Sequence, residues 1–339
     1  MKTWLCLFVL GCSGTQPRGD DDDIATDAPS NNVSAIERCA LDGGTLTEVF
    51  SVGNQHGPVT TIVGGALIVL GSEDGSVKQW TVDGDEPNYG KPFTTAGAAV
   101  RALAFSSDAH ILAATTNGEI AEWKLADASA ERTNTIADIE PSAIAVSEDA
   151  TRVMVGTTTG QTFAVERATG AKTQLQSTLW GVDSVMFGKS NRFFTAGHFY
   201  ETPMIERRAA DAPTTVVDSW NETARSGHVR AIALDAEATT LAAAGDHFVA
   251  VFGSDQLAAG PVAIREAGEH MAVGATMLPG GAMFATAGSE GTIKLWKTAT
   301  AELVTTLQVP TPIGIASDTG GTRLYTSGPD GRLHAFGCN

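Results

Sequence analysis

One structural phrase recurs along this chain about every 40 residues, and a period of that size restricts the fold to stacked or ring-closed repeats. Each copy is a short apolar alternation, a polar turn, a second apolar run, a Gly-containing turn and a third strand that ends in a large apolar residue. The clearest copies read VRALAF, ILAATTNG and EIAEW over residues 100–123, and MFATAGSEG and TIKLW over 283–296. Residues 67–80 (LIVLGSEDG, SVKQW) have the same shape. The closing positions are Trp80, Trp123, Val165, Ile205, Phe252, Trp296 and Phe336, spaced by 43, 42, 40, 47, 44 and 40 residues. In five copies a glycine stands five residues before the closing position: Gly75, Gly118, Gly160, Gly291 and Gly331. Glycine takes up the positive φ of a tight hairpin turn at little cost. The copy closing at Ile205 lacks it.

The segments SEDGSVKQW (72–80) and GSEGTIKLW (288–296) resemble the core phrase of WD40 repeats, and Gly227-His228 resembles its Gly-His pair. The period is also that of a WD40 blade. The resemblance implies an all-β, seven-bladed, WD40-like β-propeller with four-stranded blades. The copies depart from the family in one respect: Trp80, Trp123 and Trp296 are followed by Thr81, Lys124 and Lys297, never by Asp. The Asp-His-Ser/Thr-Trp hydrogen-bond set of well-formed blades is therefore expected to be incomplete in every copy. The fourth strand of a blade falls to the segment leading into the next copy, such as 303–307. The last copy has none, so the N-terminal strand at 45–51 is expected to close the ring and hide the sheet edges.

Composition agrees with many short strands and tight turns: 42% of the 339 residues are apolar and 37 are glycine. The formal net charge of -17 argues against a nucleic acid partner, because it repels a phosphate backbone. It suits a soluble secreted domain and leaves room for a basic partner.

At the N-terminus Lys2 precedes an apolar run, 4–10, too short to span a bilayer. It ends in Val9-Leu10-Gly11-Cys12-Ser13, which resembles the bacterial lipobox. That resemblance implies cleavage after Gly11 and a lipid on Cys12. The alternative is an ordinary signal peptide that happens to contain a cysteine. With Ser13 rather than Asp after the cysteine, the sorting rule of some Gram-negative bacteria points to the outer membrane. The expected organisation is a signal peptide at 1–11, a disordered acidic tether at 12–37 carrying Asp20 to Asp23, and the propeller at 38–339.

Of four cysteines, Cys6 leaves with the signal and Cys12 takes the lipid, so Cys39 and Cys338 remain. They flank the place where one connection between a third and a fourth strand is missing. Together they stand 22 residues from their strands, against 17–24 for the corresponding gaps within the chain. A Cys39–Cys338 disulfide would replace that connection in an oxidising compartment; two free thiols are the alternative.

No segment carries a metal, P-loop, nucleophile-elbow or dinucleotide motif, so no cofactor, metal or catalytic residue is expected. Asp74, Glu290 and Asp330 read as turn chemistry. The irregular copy, residues 180–228, carries Trp180, an enlarged turn with His198, Phe199, Tyr200 and Glu201, and a loop with Trp220 and Arg225. Aromatic and Arg side chains on propeller loops suit partner anchoring; packing between blades is the alternative for Trp180 and Trp220. The expectation is a non-enzymatic, lipid-anchored envelope scaffold that binds a protein or peptide through one propeller face. A lactonase-like or other ligand-processing propeller is the other reading, which converging His, Arg and carboxylate groups at the channel mouth would favour.

Overall fold

In a computed structural model the described residues are 33–338, apart from 54–56, 84–85 and 95–97. The signal peptide, Cys12 and most of the tether lie outside them.

Short alternating strands with buried apolar faces form antiparallel sheets in which successive strands are neighbours. The first sheet holds Val59–Val63, Ile68–Ser72, Ser76–Asp83 and Glu86–Tyr89, with the short Phe93–Thr94 also on Ser76–Asp83. The second is Val100–Ser106, His110–Thr115, Glu119–Lys124 and Ala130–Thr135. The third is Pro141–Val146, Arg152–Thr157, Thr162–Glu166 and Lys172–Leu175. The fourth is Gly181–Gly188, Arg192–Phe199, Thr202–Ala209 and Val216–Asn221. The fifth runs through Val229–Leu234, Thr240–Gly253, Ala263–Met277, Met283–Gly288, Thr292–Lys297 and Leu303–Gln308. In the sixth, Gly314–Ser317, Arg323–Ser327 and Arg332–Cys338 are joined by Leu46–Gly53, which pairs antiparallel with Arg332–Cys338 from Leu46↔Cys338 to Gly53↔Arg332. The leading strands adjoin one another in chain order and the last returns to the first. Together they line one central channel of about 480 Å³. This is a β-propeller.

The seven separate blades expected from the sequence are corrected to six hydrogen-bonded sheets. The copies closing at Phe252 and Trp296 share the six-stranded one. Thr240–Gly253 sets Leu241–Gly245 against Val229–Leu234 and Phe248–Val251 against Ala263–Glu266. Ala263–Met277 then continues, through Gly268 at positive φ, to pair Ala272–Met277 with Met283–Gly288. With 14 and 15 residues, these two strands carry the hydrogen-bonded sheet from one copy into the next.

The repeat explains the core. All seven closing residues are buried, from Ile205 and Phe252 at 0% exposure to Trp80 at 4%. The turn five residues before each is left-handed: glycine supplies it in five copies, and Tyr200 (φ 54°) and His247 (φ 70°) supply it in the others. Where leading strands crowd together, glycine makes room. A Cβ on Gly71 would lie 2.5 Å from Val100, and one on Gly156 2.4 Å from Val182.

The hydrogen-bond set expected to be incomplete everywhere has its nearest counterpart in the copy closing at Trp296, with Glu in place of Asp. The indole Nε1 donates to Thr286 Oγ1 at 2.9 Å, the Thr286 hydroxyl meets His270 Nε2 at 2.8 Å, and His270 Nδ1 donates to Glu290 at 2.5 Å. Glu290 stands in the place of Asp, one methylene longer. Burial holds His270 below its ordinary pKa, against the pull of Glu290.

A helix, α1 (Ala35–Leu41), precedes the first strand and is closed by a capping box between Ser34 and Glu37. Residues 34–37 were expected within the disordered tether; instead Ile36 and Glu37 are fully buried against the propeller. Cys39, on this helix, stands at disulfide distance from Cys338, with Cα atoms 6.0 Å apart across 299 residues. Among the described residues no helix is long and apolar enough to cross a membrane.

Candidate functional site at the channel mouth

Two groups of side chains flank the fourth sheet: one beside the core it shares with the third, the other where it adjoins the fifth. The first is aromatic. Trp180 precedes Gly181–Gly188, and its backbone N–H donates to His198 O at 2.8 Å. Phe199 ends the neighbouring strand and Tyr200 begins its turn. The Trp180 ring lies 4.0 Å from Tyr200 and 6.3 Å from Phe199, and Phe199 lies 4.6 Å from Tyr200. Trp180 is 51% exposed and Tyr200 57%. Two large rings so open to water, yet packed on a third, form an amphipathic platform of the kind found at interface anchors.

The second group is polar. Asp183 and Arg230 sit at the starts of their strands and line the channel. The Arg230 guanidinium grips Asp246 with two hydrogen bonds, 2.8 and 3.1 Å, and stands 3.5 Å from Asp183. His228 Nδ1 meets Asp183 Oδ2 at 3.1 Å, and its backbone N–H donates to Asp246, also at 3.1 Å. The His198 ring stacks on His228, centroids 3.6 Å apart. Burial, then the neighbouring His228, pushes the His198 pKa down. Its Nδ1 is buried with no hydrogen-bond partner. Burial opposes ionisation of Asp246, but Arg230 outweighs it and keeps the carboxyl below its usual range.

The expected anchors therefore divide. Trp180, Phe199 and Tyr200 come together on the surface, beside His198. Glu201 is exposed, and its carbonyl accepts the Gly227 N–H at 2.7 Å. Trp220 is corrected to a core residue: it is 7% exposed and packs on Phe252 at 5.0 Å and Phe248 at 6.3 Å. Strand alternation turns it inward. Arg225 lies over the Phe248 ring at 5.9 Å and pairs with Glu266. Asp183, His228, Arg230 and Asp246 gave no sign in the sequence beyond Gly227-His228, because the ring fold alone brings them together.

No protein-family model matches this chain, and no curated protein is found to be similar to it.

Proposed function

We propose that this protein is a non-enzymatic propeller of the WD40 type that binds a protein or peptide through the rim formed by Trp180, Phe199 and Tyr200, and that lipid on Cys12 holds it at the cell envelope, in the outer membrane. The exposed aromatic trio carries the reading of the rim: burying such rings against a partner releases apolar surface from water at about 25 cal/mol per Å². The hydrogen-bonded His270, Thr286, Trp296 and Glu290 support the WD40 reading, and the pairing of Leu46–Gly53 with the last strand supports closure by the N-terminal strand.

The position of α1 gives the rim a direction. Ile36 donates to Gly321 O, and Glu37 accepts from Ala282 and Met283. These residues lie at turns between first and second strands, whereas Tyr200 and Asp246 lie at turns between second and third. In an antiparallel sheet successive turns fall at opposite ends, so α1 joins the face opposite the rim.

Tyr200→Gly is the informative variant, since five other copies hold glycine at that place and the turn survives. Affinity capture from envelope extracts with wild type, Trp180→Ala and Tyr200→Gly tests the rim. A partner held by wild type and lost from both variants supports it; a partner held equally by all three overturns it. Convergence of Asp183, Arg230 and two histidines at the channel favours a second reading, a propeller acting on a small ligand. Arg230 and Asp246 already satisfy each other, which weighs against it.

A further inference from the structure

We propose that Asp183, His198 and His228 form a binding site for one divalent cation of the zinc class, with a carboxylate and two imidazoles as protein ligands and a further position open to water. Their donor atoms lie within 4.8 Å of one another. Zinc bonds of about 2.0–2.2 Å in tetrahedral geometry hold donors about 3.3 Å apart. The Asp183 Oδ2 to His228 Nδ1 distance, 3.1 Å, already matches, and the imidazole rings stand 3.6 Å apart. To complete the set the two rings turn out of their near-parallel stack, 19° between planes, so that a nitrogen lone pair of each points at one ion.

Charge favours a cation. Arg230 is the nearest positive group, and Asp246 holds it by two hydrogen bonds, whereas its approach to Asp183 is only 3.5 Å. With neutral imidazoles the five side chains sum to -1, and the Asp183 carboxylate carries the excess. The donor types suit the ion: imidazole and carboxylate together select zinc, cobalt or nickel rather than calcium or magnesium, which prefer oxygen alone. Space is provided as well. A Cβ on Gly181 would lie 2.5 Å from the His198 ring, and one on Gly227 2.8 Å from Asp246, so glycine at both places allows the close approach.

A second grouping, His110, Glu122 and Glu131, lacks these properties. Arg167 holds Glu122 directly by two hydrogen bonds, 3.0 and 2.5 Å, so a cation of the chain already fills that place. Its His110→Gln variant is therefore the control.

The inference is independent of what the aromatic rim binds. The ligands come from two adjoining sheets, so the ion also clamps them together and stabilises the fold. The test is titration of chelator-treated protein with zinc at neutral pH, alongside thermal melts. One equivalent should bind and raise Tm. His198→Gln and Asp183→Asn should each weaken binding at least tenfold while melting like wild type in chelator, and His110→Gln should bind as wild type does. Should either site variant fail to fold, X-ray absorption of the wild-type zinc complex decides: a first shell with two imidazoles supports the site. No binding by wild type, a shell without imidazole, or unchanged affinity in both site variants overturns it.

Discussion

The carboxylate of Glu37 accepts the backbone N–H of Met283 at 3.0 Å, joining the N-terminal helix to a turn 246 residues further along the chain. The same oxygen accepts the N–H of Ala282, also at 3.0 Å, and the other caps the helix through Ser34 N at 2.7 Å. Glu37→Ala removes the acceptor for three donors, two of them at a buried junction. A stranded buried donor costs about 1–3 kcal/mol, so the variant should lose about 2–4 kcal/mol in urea unfolding. Glu37→Gln keeps one acceptor oxygen and should lose less. Equal stability of Glu37→Ala and wild type would show that the helix does not anchor the propeller.

The Cys39–Cys338 pair secures the same helix from its other end. For a closed loop of 299 residues the chain-entropy relation gives roughly 5–6 kcal/mol, and measured values commonly fall below it. The double Cys→Ser variant should melt several degrees below wild type, with the first proteolytic cuts near residue 39. Because Glu37 and Cys39 hold one element, combining both changes should cost less than the sum of the two. Mass spectrometry of a non-reduced digest should recover both cysteines in one linked peptide.

Most of the fold was legible because the repeat is short-range. Closing residues such as Trp123 and Ile205 are buried as the pattern requires, and Gly118 and Gly160 take the positive φ that the spacing asks of them. What escaped the pattern is conformational or long-range. Tyr200 and His247 make the same left-handed turn without glycine, at a cost that residue type does not reveal. The long strands Thr240–Gly253 and Ala263–Met277 merge two copies because each pairs in both, across a polar stretch, Arg265 to His270, that reads as a break. Trp220 and Trp180 look alike in sequence, yet Trp220 lies on a strand and faces inward, whereas Trp180 stands just before one and is exposed. Asp183 and His198 lie on two paired strands and His228 before the leading strand of the next sheet, so strand pairing and the packing of adjacent sheets assemble them.

The His270 network should make this protein acid-sensitive in a defined way. Burial keeps the folded-state pKa of His270 below the ordinary value of about 6.5. The unfolded chain therefore binds more protons in the window below that value, and stability falls as pH drops through it. Glu290, held below its usual range by Thr292 and His270 against the effect of burial, adds a loss in the same direction at lower pH. Thr286→Val strands both Trp296 Nε1 and His270 Nε2 and should cost about 2–4 kcal/mol at pH 7.5. His270→Gln should flatten the stability profile between pH 7.5 and 5.5. A profile as steep as that of wild type would assign the acid sensitivity to other groups.

Arg167 provides the last test, because it ties the second and third sheets through a nearly closed ion network. Its side chain is 6% exposed and bonds Glu122 at 3.0 and 2.5 Å, Asp108 at 2.8 and 3.2 Å, and the Ala150 carbonyl at 2.9 Å. Burial would raise the Asp108 pKa, but the Arg167 hydrogen bonds, with help from Ser106 and His110, pull it down to about 2. The Asp108 contribution is therefore present above the ordinary carboxyl value of about 3.9 and is lost as pH falls from there towards 2. His110 behaves in the opposite sense: burial lowers its pKa, but bonds to Glu131 and Asp108 outweigh this and raise it. Its contribution is complete below about 6.5 and fades as pH rises through the elevated value. Arg167→Met leaves the Glu122 carboxylate, 3% exposed, with Arg132 at 3.5 Å and His110 at 3.9 Å, and should cost about 3–5 kcal/mol. Arg167→Lys should recover only part, since an ammonium cannot reproduce the forked contacts. Adding Glu122→Leu to Arg167→Met should restore most of the stability, because the stranded charge, rather than the lost attraction, dominates the penalty. NMR titration of the Asp108 carboxyl in Arg167→Met should show its pKa returning towards about 3.9. A value that stays near 2 would assign the depression to Ser106 and His110 instead.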